Sequence, residues 1–418
     1  MNLLIRSATV IDKKSEFHNQ TLDILIRGGI ISDIDKNIKN SKNYKELKLN
    51  NLSISNGWFD YSVCTGEPGY EERDNLLNTL NVAAKSGFTS LGIQPDTNPI
   101  IDKCTEVEYL KSLASKSNID IHPIGALTKQ STGNELAEIL EMGDSGAIAF
   151  GDFKKPIENP NLLKLALLYC KNQNYPIFSF PFEKKLNIDG VINEGITSTL
   201  LGLKGIPAIS EEINIKRDLT ILEYTGGRLH IPTISTAKSV DIIRKAKSKK
   251  LNVTCSTSIN NLFFSDLNVL NFNTNFKVLP PLRSENDIDA LIIGVKDGTI
   301  DLVTSDHNPL NIELKNLEFD NANFGSIGLE SFFGALNKLF STKMSIDILT
   351  RGKKIFNIHN SIIKIGELAN FTLFNPLKDY IFKKEHIHSI SKNSIFIDIK
   401  LKGFVYGTIS NGKLTINE

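Results

Sequence analysis

Residues 59–70 read FDYSVCTGEPGY, an apolar run that ends in a turn rich in glycine and proline. The run predicts a buried strand, and the glycine and proline residues mark the turn that follows it. Ser62 and Cys64 lie two positions apart, so their side chains point to the same face of the strand. The stretch therefore predicts a strand that presents two small side chains at its carboxyl end.

Short apolar strands alternate with helical patterns through the whole middle of the chain. The strand candidates read WFDYSV, FTSLGI, IDIHPIGA, GAIAF, YPIFSF, GRLHIPT, NVTCST and IDLVTSD. The helix candidates between them include RDNLLNTLNVAAKSG, CTEVEYLKSLASKSN, NLLKLALLYCKNQ, EEINIKRDLTILEYTG, AKSVDIIRKAKSKK and ENDIDALIIGVKDG. This alternation predicts an α/β protein with a (β/α)8 barrel, whose working residues lie at the carboxyl ends of the strands.

Both ends of the chain differ from the middle because they are rich in short β-strands. Gly28-Gly29 and Asn411-Gly412 separate pairs of these strands and are strong hairpin signals. We therefore predict that residues 1–54 and 367–418 pair into one small β-sandwich, and that residues 55–366 form the barrel.

The bulk composition narrows the classes of protein. The 418 residues carry a net charge of +1 and are 40% hydrophobic, which suits a large globular domain with a smaller one. The balanced charge predicts no nucleic-acid partner, and no apolar run is long enough to predict a membrane span. The four cysteines (Cys64, Cys104, Cys170 and Cys255) form no CxxC pair. They are typical of reduced thiols and predict a cytoplasmic location.

Two aspartates follow predicted barrel strands. Asp306 ends the eighth strand in VTSDHNPL, and Asp152 ends the fourth in IAFGDFKK. A carboxylate at this edge can bind a metal or act as a general base, although aspartate is also common in turns. Cys64 can bind zinc as a thiolate, but a free cysteine more often serves as a small buried apolar side chain. The residue types alone leave these alternatives open.

Few histidines of the chain are placed to bind a metal. Only three of the seven, His122, His230 and His307, lie near predicted barrel strands, and the parity of His230 predicts that it packs behind its strand. His386 and His388 form an HxH pair in the C-terminal β segment, where an exposed strand face explains them. A zinc site needs about three or four imidazole, thiolate or carboxylate ligands, so the histidines predict no binuclear centre.

Several motifs, taken together and in order, resemble one family. They are NGWFDYSVCTGEPGYEERD, AAKSGFTSLGIQPDTNPIID, GVINEGITSTLLGLKGIP, PPLR, DGTIDLVTSDHNP and FGSIGLES. The chain resembles the dihydroorotases of the amidohydrolase superfamily, of the longer type related to allantoinases and hydantoinases. This resemblance implies a barrel with a β-sandwich built from both chain ends. It also implies a hydrolase that uses zinc to make or open a cyclic amide in pyrimidine synthesis.

The resemblance also implies that the metal ligands of the family have been replaced. The family positions for metal binding fall on Ser62, Cys64, Asp152, Phe180, Thr233 and Asp306. All four histidine positions among them hold other residues, whereas Asp306 matches the catalytic aspartate and is expected to be vestigial. We therefore expect no zinc and no other cofactor.

The substrate contacts of the family are replaced as well. The corresponding positions fall on Gly66, Asp96, Leu279 and Leu310. Gly66 stands where the family has an arginine for the substrate carboxylate, and Asp96 stands where it has an asparagine. The resemblance implies that Asp96 would repel an anionic dihydroorotate. We expect no binding of the family substrate.

Three functions follow from this pattern. The first is a catalytically inactive homologue with a structural or scaffolding role, forming a homodimer and associating with aspartate carbamoyltransferase or an active dihydroorotase. The second is a divergent metal-dependent hydrolase of cyclic amides, in which zinc returns to a site rebuilt from Asp306, Asp152, Cys64 and Glu183. The third is a metal-free binder of a small molecule among Phe180, Phe182, Thr233 and Asn260.

Overall fold

The structure is a computed structural model and describes residues 1–417. Its strands are β1 (Leu3–Val10), β2 (Thr21–Arg27), β3 (Ile30–Asp35), β4 (Lys45–Leu47), β5 (Ser53–Asn56), β6 (Trp58–Val63), β7 (Phe88–Ile93), β8 (Asp120–Gly125), β9 (Ala149–Phe150), β10 (Ile177–Phe178), β11 (Ile192–Asn193), β12 (Gly205–Ile206), β13 (Leu229–Ile231), β14 (Val253–Ser258), β15 (Leu302–Thr304), β16 (Phe371–Ile381), β17 (Lys400–Ser410) and β18 (Lys413–Ile416). Its α-helices are α1 (Leu76–Lys85), α2 (Cys104–Ala114), α3 (Ile139–Asp144), α4 (Pro160–Tyr169), α5 (Ile196–Leu201), α6 (Ala208–Thr225), α7 (Ala237–Ser248), α8 (Ile259–Phe263), α9 (Glu285–Asp297), α10 (Ile312–Lys315), α11 (Leu329–Leu339) and α12 (Thr342–Ile355). None of the helices within residues 1–417 is both long enough and apolar enough to cross a membrane.

Eight parallel strands form the barrel in the order β6, β7, β8, β9, β10, β13, β14 and β15. The first and last strands meet just beyond their ends, where Val63 and His307 form a parallel bridge. The amide of His307 donates to the carbonyl of Ser62 at 3.1 Å, and the amide of Cys64 donates to the carbonyl of His307 at 2.9 Å. The predicted α/β barrel is therefore confirmed.

The local sequence explains where the barrel elements begin and end. Every residue of β6 and β7 is buried, as expected for parallel strands that helices cover on the outside. The side chain of Ser284 caps α9 by accepting from the amide of Asp287. The side chain of Asp287 accepts from the amide of Ser284 in return, which completes a capping box. The helix ends at Gly298, whose φ of 81° is left-handed and suits glycine.

The strands at the two chain ends form a second sheet. Its order is β18, β17, β16, β5, β1, β2 and β3, with β4 paired to β1. The hairpin signals at residues 28–29 and 411–412 lie between β2 and β3 and between β17 and β18. The domain division at residues 54/55 and 366/367 stays a prediction, and β5 runs on to Asn56.

An aromatic cluster fills the barrel interior. Phe59, Tyr61, Phe178 and Phe356 pack together, and they include side chains from opposite sides of the barrel. His230 lies among them and is fully buried, with Nε2 3.0 Å from the hydroxyl of Tyr61. The prediction that His230 packs behind its strand is therefore wrong, because its ring crosses the interior to reach β6.

Candidate functional site at the barrel mouth

The six family positions for metal binding all lie at one end of the barrel. We call this end the mouth, the face formed by the carboxyl ends of the strands. Ser62 lies in β6, and the others follow the ends of their strands: Cys64 after β6, Asp152 after β9, Phe180 after β10, Thr233 after β13 and Asp306 after β15. All six side chains are buried. The fold therefore brings together the six positions that the resemblance assigns to metal ligands, and that assignment stays a prediction.

Asp306 is held by a cation from within the chain. The ammonium Nζ of Lys154 lies 2.7 Å from Oδ2 of Asp306, and the two side chains are only 11% and 4% exposed. Burial raises the pKa of Asp306, and the adjacent Lys154 ammonium opposes that shift. The carboxylate that would serve as base or metal ligand is thus neutralised by an ion pair.

Asp152 is occupied by its own neighbours. One of its oxygens accepts from the amides of Leu127 and Thr128 at 3.0 Å each, and the other accepts from the Thr128 hydroxyl at 2.6 Å. These bonds tie the loop after β8 to the loop after β9. We conclude that Asp152 holds two loops together, since both of its oxygens are bonded there.

The two small side chains of the first strand offer poor metal donors. Burial raises the pKa of the Cys64 thiol well above its usual range, and the charge of Asp96 acts in the same direction. Zinc binds the thiolate, which this environment disfavours. Ser62 contributes its backbone to the bridge with His307. The end of β6 is therefore built for barrel closure.

The two remaining positions hold an aromatic ring and a strained threonine. Phe180 is buried and lies beside Phe182, with ring centroids 6.0 Å apart. Thr233 has a φ of 52°, a conformation that is unfavourable for a β-branched residue but more common for histidine or asparagine. The backbone at position 233 therefore has a shape that suits histidine better than the threonine present.

These residues do not fit a zinc ion. Phe180 has no donor atom, Cys64 is held as a neutral thiol, and Asp152 is bonded through both of its oxygens. Asp306 is bonded through Oδ2, which leaves its Oδ1 as the one unpartnered oxygen of the two carboxylates. Within residues 1–417, no group of three or more His, Cys, Asp and Glu side chains is arranged to hold a metal. The donor set lacks the three or four ligands that a zinc site requires.

An open cavity of about 550 Å³ lies at the mouth. Its lining includes Arg73, Asp96, Lys154, Lys155, Leu279 and Leu310. Three of the four family positions for substrate contacts thus face the cavity. Gly66 does not line it, and neither do Phe180, Phe182, Thr233 and Asn260. The cavity is therefore bounded by charged loops rather than by the aromatic set named from the sequence.

Gly66 and Asp96 are accommodated in ways that the sequence did not indicate. Gly66 has a φ of +77°, and a Cβ there would lie 2.5 Å from the carbonyl oxygen of Tyr70. Asp96 faces Arg73, with Oδ2 and Nη1 3.5 Å apart. The expected repulsion of an anion by Asp96 is therefore offset by Arg73, which lies over the ring of Tyr70.

Other candidate residues have local roles. His307 accepts through Nδ1 from the amide of Gly328 at 3.2 Å, and burial lowers its pKa to about 4. Glu183 accepts from the amide of Lys185 at a short helical turn, away from Asp306. The side-chain amide of Asn260 is buried and makes no hydrogen bond to any part of the described chain.

Sequence reasoning missed Lys154 and Arg73. Lys154 stands two residues after Asp152 in GDFKK, and Arg73 stands in GYEERD, seven residues after Gly66. A cation just beyond a barrel strand was the available signal. Its partner could not be read from the sequence because Lys154 and Asp306 are 152 residues apart.

The chain is similar in sequence to proteins of known family. Residues 53–239 match the family model described as Dihydro-orotase-like. The dihydroorotase of Thermoanaerobacter sp. (strain X514) is 37% identical over 422 residues, covering 99% of this chain and 97% of that protein. The chain belongs to the dihydroorotase family. A second member, the dihydroorotase of Acetivibrio thermocellus, is 35% identical over 427 residues and covers 100% of this chain and 99% of its own.

Solved structures agree on the fold of this dihydroorotase-family chain. The L-hydantoinase (dihydropyrimidinase) from Arthrobacter aurescens superimposes with a TM-score of 0.85 at 18% identity, covering 100% of this chain and 96% of its own. The dihydropyrimidinase from Brevibacillus agri NCHU1002 gives a TM-score of 0.81 at 19% identity, with 100% and 95% covered. At this identity the likeness supports the barrel architecture and says nothing further.

Proposed function

We propose that this chain is a dihydroorotase-like protein of pyrimidine biosynthesis that has lost zinc-dependent hydrolysis and acts as a structural component. The Lys154–Asp306 ion pair carries this proposal. A general base must be free to take a proton, and a metal ligand must offer its oxygens to the ion. Asp306 instead bonds the Lys154 ammonium through Oδ2, while its Oδ1 is buried without a partner. The mouth thus has an internal cation where the family uses a metal.

Buried polar contacts behind the mouth support a structural role. Arg283, in the PPLR motif, is buried and donates to Asn193 and to the carbonyl of Ile206, both at 2.7 Å. It also donates to Ser235, whose amide donates to the buried carboxylate of Glu211. A buried charge of this kind is tolerated only when it is well bonded. The buried polar contacts of Arg283 are therefore in place, although the mouth lacks the ligands of a zinc site.

Exposed aliphatic side chains support a protein partner. Ile188, Ile196 and Leu200 are 75%, 82% and 73% exposed, and Ile209 and Ile213 follow on α6. Large exposed apolar side chains that group together are typical of interaction surfaces. We propose that this segment, residues 188–213, contributes to a homodimer or to association with aspartate carbamoyltransferase or an active dihydroorotase. The free thiols support a cytoplasmic location for that assembly.

An activity assay tests the loss of hydrolysis. Purified protein supplied with excess zinc should open dihydroorotate no faster than the buffer does. Turnover at an ordinary enzymatic rate, lost in Asp306→Ala, would contradict the proposal. It would favour the divergent hydrolase, although Glu183 and Asp152 are bonded elsewhere and do not gather around Asp306.

A binding assay tests the partner. Size-exclusion chromatography with light scattering should give a dimer, and added aspartate carbamoyltransferase should shift the peak further. Leu200→Lys should weaken these associations. Ile293→Lys, which changes an equally apolar side chain 56% exposed on α9, is the matched control. Equal behaviour of the two variants would show that residues 188–213 are not the interface.

Small-molecule binding is a second candidate function, favoured by the open cavity of about 550 Å³ at the mouth. Arg73, Lys154 and Lys155 line this cavity, so an anionic ligand would meet positive charge there. The melting temperature should then rise with a pyrimidine intermediate such as dihydroorotate, and the rise should be smaller in Lys155→Met. No rise with any pyrimidine intermediate would count against this candidate.

A further inference from the structure

A second large cavity lies at the other end of the barrel from the mouth. We call it the floor cavity, and its volume is about 690 Å³. It is bounded by the amino ends of β7 and β8, the end of α12, and the turns at residues 28–29 and 411–412 of the terminal sheet. This size is within the range of cavities that bind small molecules.

Lys353 faces the floor cavity without a partner. Its side chain is only 2% exposed, yet Nζ forms no hydrogen bond or ion pair with any atom of residues 1–417. Two other buried lysines behave differently. Nζ of Lys277 donates to the carbonyls of Phe319 and Asp320 at 2.7 and 2.9 Å, and Nζ of Lys315 donates to three carbonyls. The protein bonds its other buried ammonium groups and leaves this one open to the cavity.

The imidazole of His122 lines the same cavity. Its Nε2 is buried and makes no hydrogen bond within the described chain. Burial lowers the pKa of His122 to about 4 and that of Lys353 to about 8. At neutral pH the lysine is therefore largely charged, and the neutral imidazole keeps one N–H donor.

No acidic group forms an ion pair with Lys353 within residues 1–417, although the charge of Asp120 favours its ammonium form. Asp120 accepts from the side-chain amide of Asn411 at 2.9 Å and lies beyond ion-pair distance of Lys353. Glu367 pairs with Lys364 at 3.2 Å. His359, which also lines the cavity, brings no negative charge. A buried cation without a counter-ion is costly, and an anion bound from solution would remove that cost.

We propose that the floor cavity binds a small anion, a phosphate or a carboxylate, whose oxygens accept hydrogen bonds from Nζ of Lys353 and from the imidazole of His122. This site is independent of the mouth and of the function proposed there. The two donors form charge-assisted and neutral hydrogen bonds, which together fix the orientation of an anionic head group. The rest of the cavity leaves room for an organic body attached to it.

Thermal shift and calorimetry with inorganic phosphate and with citrate test the proposal. Either probe at millimolar concentration should raise the melting temperature more than sodium chloride of matched ionic strength, and the stronger probe tells phosphate from carboxylate. Lys353→Met should weaken binding by about tenfold or more, because the charge-assisted bond is lost. Lys354→Met, an exposed neighbour on the same helix, should bind like the unchanged protein.

Two results would overturn the site. One is the lack of any anion-specific shift in the unchanged protein, and the other is equal binding by Lys353→Met and Lys354→Met. If Lys353→Met does not fold, His122→Gln supplies the same test. It should weaken binding several-fold, and unchanged affinity in that variant would contradict the proposed contact.

Discussion

The two ends of the barrel hold a buried lysine in opposite ways. At the mouth, Lys154 lies 2.7 Å from Asp306, so a cation and an anion cancel each other. At the floor, Lys353 has no partner within the described residues and faces a cavity. A buried lysine forms an internal ion pair at the mouth, whereas at the floor a buried lysine is free to bind a ligand. On the two proposals above, the mouth has lost its chemistry while the floor keeps the capacity to bind an anion.

This contrast also bears on how the mouth could be stable without a metal, as we propose. Removing a metal from a set of acidic and imidazole ligands would leave buried groups unbonded, at a cost of a few kcal/mol each. Here the histidine positions have become small or apolar, and Lys154 bonds the remaining acid. The ion pair therefore compensates one oxygen of Asp306, whereas Oδ1 of Asp306 and the amide of Asn260 stay buried without partners.

The largest expected effect comes from breaking the mouth pair. Asp306→Ala leaves Lys154 buried without its counter-ion and should lower the free energy of unfolding by about 3 kcal/mol or more. Lys353→Met at the floor should instead be neutral or stabilising, because it removes an uncompensated charge. Urea denaturation of both variants measures the difference. An equal loss of unfolding free energy in the two variants would contradict the proposed difference between the mouth and the floor.

A smaller loss should follow at the position where the family has an arginine. Gly66→Ala places a Cβ 2.5 Å from a carbonyl oxygen at a φ of +77°, and we expect a loss of about 3 kcal/mol. Gly298→Ala is matched in φ, at +81°, but meets no atom within 4 Å, so about 1 kcal/mol is expected. Similar losses of stability in the two variants would show that the loop around residue 66 shifts to accept a side chain. An arginine could then be accommodated at that position.

The pH dependence of stability tests the interior between the two ends. Burial lowers the pKa of His230 to about 3 from an ordinary 6.5, so the unfolded chain takes up this proton first. Stability contributed by the neutral ring is fully present above pH 6.5 and is lost progressively as the pH falls from there to about 3. In His230→Gln the slope between pH 6 and 4 should fall by one proton, about 1.4 kcal/mol per pH unit. An unchanged slope would mean that His230 is not buried as a neutral ring.

The smallest effect should be a gain at Thr233. Asparagine tolerates the φ of 52° better than threonine, so Thr233→Asn should stabilise by about 0.5 kcal/mol. Thr257→Asn, at a buried position in a regular strand, should destabilise instead. Thermal unfolding of the pair measures both signs. A loss at both positions would show that the backbone at position 233 carries no strain.

Much of the fold could be predicted because hydrophobic alternation is local. The predicted strands at residues 58–63 and 88–93 match β6 and β7 at both ends. β9 and β10 are shorter than predicted, with two residues each, although hydrogen bonds continue from the amides of Gly151 and Ser179. The candidates did not include α11 and α12, which follow the last barrel strand and lie outside the simple alternation.

The site was only partly predictable because its contacts are not local. Sequence spacing identified the residues that stand at the mouth, since strand ends are set by local pattern. It could not show that Asp152 bonds Thr128 or that Lys154 reaches Asp306, because those pairs come from different strands. It also placed His230 behind its strand, although the ring packs inside the barrel.

The metal content of the purified protein tests the central claim most directly. The chain is prepared without chelator, offered excess zinc, freed of unbound metal and measured by elemental analysis. With Lys154 bonded to Asp306, we expect less than about a tenth of an equivalent per chain, since zinc sites need three or four protein ligands. One or two tightly held equivalents would contradict the account, because the mouth would then build a metal site that the Lys154–Asp306 pair should prevent.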